Sequence, residues 1–86
     1  MNLPRRARTM VTYTHYYVLT AEAAIKAGII NDKWEEIIPH NATEVAVMEV
    51  AMSRHHSYKA AEVFALESGE DTWVLAPDGK AQWVPQ

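Results

Sequence analysis

The sequence predicts an α+β fold: a small antiparallel sheet, built from an N-terminal strand plus a C-terminal hairpin, packed against three or four helices. Three observations lead there. Residues 11–19 are dominated by β-branched and aromatic side chains. The stretch from Thr20 to Ser68 is alanine-rich and punctuated by cap and stop residues. From Thr72 onward, two short apolar runs flank Ala76-Pro77-Asp78-Gly79-Lys80, a turn sequence.

In residues 11–19, Val11, Tyr13, His15, Tyr17 and Leu19 alternate with Thr12, Thr14, Tyr16 and Val18, as strand periodicity requires. Thr20 is the expected N-cap of a helix over Ala21–Ala27, because its hydroxyl can accept an orphan amide of the first turn. Gly28 suits the left-handed position that ends such a helix. Asn31 or Asp32 is expected to start a second short helix over Lys33–Ile38, which Pro39 stops.

Asn41 and Glu44 have capping-box spacing, so a third helix is expected over Thr43–His55. Val45, Val47 and Val50 argue for a strand there, while Ala46, Met48, Glu49 and Ala51 argue for a helix; helix is the better fit. Ser57 can cap a fourth helix, Tyr58–Ser68, ended by Gly69. In the hairpin, proline presets the first turn dihedral, aspartate suits the second position and glycine the left-handed bulge. Pairing Ala76 with Lys80 then sets Trp73 opposite Trp83.

The chain has 86 residues, enough for a single domain. Residues 1–10 are expected to form a flexible basic tail ahead of one domain over 11–86. The full chain's apolar fraction of 49% excludes a disordered chain, and the lack of cysteine excludes disulfide scaffolds, thiolate metal sites and cysteine nucleophiles. No apolar run approaches the roughly 20 residues of a membrane span. With no secretory pattern near the start, a cytoplasmic location is expected.

Charge narrows the partner class. Arg5, Arg6 and Arg8 lie in the first ten residues; from Val11 onward five basic residues face eleven acidic ones, a net −6. An acidic body repels phosphate backbones. A helix-turn-helix over 20–38 is the alternative reading, with Ala24 and Gly28 allowing close approach and Ile29, Trp34 and Ile37 behind the turn. Its recognition helix would carry Asp32, Glu35 and Glu36 against Lys33 alone, which opposes entry into a groove. A third reading is a histidine metal site from His15, His40, His55 and His56, but adjacent His55 and His56 diverge by about 100° on a helix. Enzymatic chemistry lacks a nucleophile–base pair or a phosphate loop. Gly28, Gly69 and Gly79 each have a cap or turn role, so no catalytic residue and no cofactor is expected.

The remaining signal is where apolar residues point. On a helix over 43–55, Val45, Met48 and Met52 form one stripe and Val47, Val50 and Ala51 another. In the next helix, Tyr58, Ala61, Phe64 and Ala65 oppose Val63 and Leu66. A surface helix in a small domain normally carries one stripe. The sequence therefore points to a non-enzymatic protein-binding module that forms a homodimer and acts on another protein, as an accessory factor or inhibitor of a larger assembly. Val47, Met48, Val50 and Met52 are the expected association residues. Trp73 and Trp83 are the expected aromatic anchors, unless they pack as core.

Overall fold

A computed structural model describes residues 12–86. The expected tail, residues 1–10, and Val11 lie outside the described residues. Among the described residues the order is β1 (Tyr16–Thr20), α1 (Ala21–Lys26), α2 (Glu44–Val50), β2 (Ser53–His55), α3 (Tyr58–Glu67), β3 (Thr72–Leu75) and β4 (Ala81–Val84). The strands form one antiparallel sheet in the order β2-β1-β3-β4. The N-terminal strand and the C-terminal hairpin share a sheet, and the class is α+β. No helix among the described residues is long and apolar enough to cross a membrane.

Strand β1 lies at the centre, and side chains from both of its faces are buried. Tyr17 and Leu19 join Trp73 and Leu75 in one core, beneath Ala24 of α1, Ile29, Ile30, Ala42 and Val47 of α2. Val18 points the other way and joins Val74 and Val84 beneath Ala61 and Ala65 of α3. The sheet is thus the middle of three layers. Each large aliphatic side chain buried there contributes about 1.5–3 kcal/mol.

Capping follows expectation at four places. Thr20 accepts the Ala23 amide at 3.1 Å, and Ser57 accepts that of Ala60 at 3.2 Å. Gly28 and Gly69 follow α1 and α3 with φ of 79° and 77°. The hairpin closes through Ala76 N–H to the Lys80 carbonyl at 2.8 Å and Gly79 N–H to the Ala76 carbonyl at 2.9 Å. Its register sets Trp73 against Trp83, with rings 6.3 Å apart and 19° from parallel.

Three expectations need correction. The first strand starts at Tyr16 rather than Val11 within the described residues. Tyr13 N–H donates instead to the Pro77 carbonyl at 2.8 Å and Thr14 N–H to the Glu44 carboxylate, which takes both amides out of any ladder. The helix over Lys33–Ile38 does not form. Asn31 Oδ1 accepts the amides of Lys33 and Glu35, both at 2.9 Å, and Asn31 N–H donates to the Glu35 carbonyl at 2.9 Å. This local bonding, a known competitor of helix, closes a tight loop whose tip, Trp34, sits at φ 64°. The left-handed region costs a bulky residue about 1–2 kcal/mol. Segment 20–38 therefore supplies one helix, not the two of a helix-turn-helix.

The third correction concerns 43–55, which divides. Thr43, not Asn41, caps α2. The helix ends at Val50, and Met52 N–H reaches the Val18 carbonyl at 2.7 Å, drawing the chain onto the open edge of β1 as β2. The sheet is the element shielded on both sides, while α2 and α3 keep Val45, Met48, Val63 and Leu66 in solvent.

Two tests follow from this packing. Trp73 is 5% exposed and Trp83 43%. Trp73→Ala should cost about 3–5 kcal/mol in chemical denaturation, with a coupling to Trp83→Ala of about 0.5–1.5 kcal/mol. Additive losses in the double variant would contradict the stack. Thr72 Oγ1 is buried with no partner among the described residues. Thr72→Val should therefore raise stability by about 1 kcal/mol, and a loss of that size would show the hydroxyl to be satisfied.

Candidate functional site

An open concave surface lies where α2 runs into β2. Two helical turns give α2 one fully buried position, Val47, which is 0% exposed. The opposite stripe faces out: Val45, Met48 and Glu49 are exposed, and Met52 follows at the helix exit. Met48 is 48% exposed and Met52 37%. Between this stripe and the sheet edge is an open cleft of about 240 Å³ lined by Tyr17, Met48, Ala51, Ser53 and Arg54. Arg54 stands on the edge strand directly opposite Tyr17.

The six residues expected to mediate association are thereby separated. Met48 and Met52 lie together beside the cleft. Val47 is in the core, and Val50 is half-buried against it. Trp73 is also core. Trp83 is exposed, but on β4 at the other edge of the sheet. Sequence reasoning missed Arg54. It is the one basic residue between Lys33 and Lys59 and sits beside the methionines, a cue that the helix assignment obscured.

The floor of the site is tied down by Glu44, the first residue of α2. One oxygen, Oε2, accepts the Tyr17 hydroxyl at 2.6 Å, the Thr14 hydroxyl at 2.7 Å and the Thr14 amide at 3.0 Å. These bonds, Tyr17's above all, hold the carboxyl down to about 2 from its ordinary 4.5; the nearby His15 adds to the effect and burial opposes it. Burial pushes the Tyr17 phenol up, and its bond to Glu44 adds to that. Burial, followed by the Glu44 charge, pushes Tyr13 up to about 12. A carboxylate so acidic, with one oxygen holding three donors, is a poor proton acceptor near neutral pH. Its role here is to fasten α2 to β1.

The histidines are dispersed over separate tasks. The Thr14 hydroxyl proton goes to Glu44, so that oxygen accepts from His15 Nδ1–H at 2.7 Å. His15 packs on His56 with ring centres 4.7 Å apart. Buried His40 donates Nε2–H to the Gly79 carbonyl at 2.8 Å and accepts the Ala42 amide on Nδ1 at 3.3 Å, which ties the 37–42 segment to the hairpin. His55 bonds Ser53 and packs on Phe64. Among the described residues no three His, Cys, Asp or Glu side chains are grouped to hold a metal ion.

A second exposed group occupies the opposite edge. Trp34, 38% exposed, meets Trp83 with ring centres 5.7 Å apart and planes at 80°. Glu36 Oε2 accepts the Ala81 amide at 2.8 Å and joins this loop to β4.

The Glu44 clamp has a pH signature. A carboxyl depressed in the folded state contributes stability that is fully present above pH 4.5 and is lost as pH falls toward 2. Denaturant midpoints measured down that range should fall less steeply for Glu44→Gln than for the parent, with Tyr17→Phe intermediate. Parallel curves for all three would remove the clamp from the account.

Comparison of the chain with protein-family models, with curated proteins and with solved structures returns no match.

Proposed function

We propose that this chain is a non-enzymatic protein-binding module that self-associates through the α2–β2 face. The observation that carries the reading is the outward stripe of Val45, Met48 and Met52 beside an open cleft, in a fold whose sheet is already covered on both faces by its own helices and loops. Exposed side chains of this kind are surplus to the core, and methionine adapts readily to a partner surface.

A second copy fits the charge pattern. Glu49 lies on the same stripe, and Arg54 borders the cleft. A two-fold interface is self-complementary, so Arg54 of one copy faces Glu49 of the other while the methionines meet near the axis. Two helical turns and three strand residues fall short of the about 800 Å² per partner of a standard interface. The association is therefore weak, with a dissociation constant on the order of micromolar to tens of micromolar.

Sedimentation from about 1 to about 300 µM, a range that brackets such affinities, should show a monomer–dimer equilibrium. Met48→Glu should hold the chain monomeric throughout with an unchanged melting temperature. Arg54→Glu should weaken the dimer, and adding Glu49→Arg should restore it. A strict monomer, or a dimer indifferent to Met48→Glu, overturns the proposal.

A further inference from the structure

We infer that the corner formed by Trp34 and Trp83 seats an arginine side chain presented by a basic segment of a partner protein. This surface lies at the opposite sheet edge from the self-association face, and the inference stands on different residues.

The corner is built rather than incidental. All three tryptophans of the chain converge there: buried Trp73 stacks on Trp83, and Trp34 stands nearly perpendicular to Trp83. Trp34 is carried at the tip of a loop that the Asn31 side chain holds from three directions, through the Lys33 amide, the Glu35 amide and Glu35 Oε1. The result keeps a bulky residue at φ 64°, where glycine or asparagine would rest more easily. Trp34 is too exposed to be needed as core filling. A strained residue held firmly at a surface points to display.

Charge selects the occupant. Residues 32–36 carry Asp32, Glu35 and Glu36 against Lys33, and Glu36 is fixed beside β4 by its bond to Ala81. Indole faces are themselves negative, so both parts of the corner attract a cation. A guanidinium satisfies both at once, because its flat face stacks on a ring while its N–H fork reaches a carboxylate; an ammonium offers no such plane. Strand addition is disfavoured at this edge, since the Ala81 amide is already taken by Glu36 and Pro85 has no N–H to give. Recognition therefore works through side chains.

The test uses the full chain labelled with nitrogen-15, whose three indole N–H signals report the tryptophans separately. The probe is an acetylated Gly-Arg-Gly-Arg-Gly amide, with versions carrying lysine, citrulline or proline in place of arginine. Titrations run on the parent and on Arg5→Gln/Arg6→Gln/Arg8→Gln, which removes the three arginines of residues 1–10 as competitors. The arginine peptide should shift the Trp34 and Trp83 signals saturably, leave Trp73 unmoved and bind less tightly as salt is added. Citrulline and proline peptides should produce no shift, and lysine should bind about threefold more weakly or worse.

Trp34→Gly, which suits the left-handed backbone, should abolish the response while the melting temperature holds or rises. Asp32→Asn with Glu35→Gln should weaken binding about threefold to tenfold. No saturable shift in either background, equal response to citrulline or proline, or binding that survives Trp34→Gly would each overturn the inference.

Discussion

The whole structure depends on β1 having no solvent side. Val18 and the neighbouring pair Tyr17 and Leu19 leave the strand in opposite directions, and all three are essentially inaccessible to water. Antiparallel sheets in small proteins commonly keep one face wet. Here a five-residue strand with two apolar faces demands cover above and below. Helix α3 supplies one layer, and α1, the 29–42 segment and α2 supply the other. Tyr17 links this demand to the surface, because its ring is in the core and its hydroxyl holds Glu44 at the head of α2. The position of the outward methionine stripe follows from that bond and from Val47 beneath the helix.

What could be read from the chain was what local chemistry decides. Ala76-Pro77-Asp78-Gly79-Lys80 specifies its own turn, and the turn sets the register that brings Trp73 to Trp83 across the hairpin. Thr20 and Ser57 cap because each hydroxyl needs only an amide three residues ahead. Strand β2 was not legible in this way. Ser53-Arg54-His55 has little strand character, and it pairs because β1 offers an open edge there. The loss of the 33–38 helix is a contest between equals: Asn31 could have capped a helix and closes a loop with the same acceptor oxygen.

The candidate surfaces were legible in part, for a related reason. Two apolar stripes on α2 announce that one faces a neighbour, but the sequence does not say which one turns toward the sheet. The structure sends Val47 inward and Met48 outward, and the packing of Tyr17 and Leu19 decides the matter rather than anything within the helix. Trp34 and Trp83 are far apart along the chain and meet only after the 31–35 loop and the hairpin have both formed. Nothing local to either residue forecasts the contact. Arg54 owes its place beside the methionines to the same non-local pairing that makes β2.

Both edges of the sheet are blunted, and this bears on how the molecule meets others. Strand β2 is only three residues long, and β4 has one amide taken by Glu36 and a proline just beyond its end. Short or obstructed edges resist extension by further strands, so contact falls to side chains standing beside them. Among the described residues, exposed large side chains adjoin both edges, the methionine stripe next to β2 and the tryptophan corner next to β4. They lie at opposite ends of the sheet, and occupation of one leaves the other open. On the proposed reading, a dimer joined through α2 displays two tryptophan corners. A partner with two basic segments would then bind with an effective concentration set by the spacing of those corners, and modest affinity at each becomes sufficient. On that reading, weak self-association and weak recognition of a guanidinium would reinforce each other, and a chain of this size would hold through two corners a partner that one corner holds only weakly.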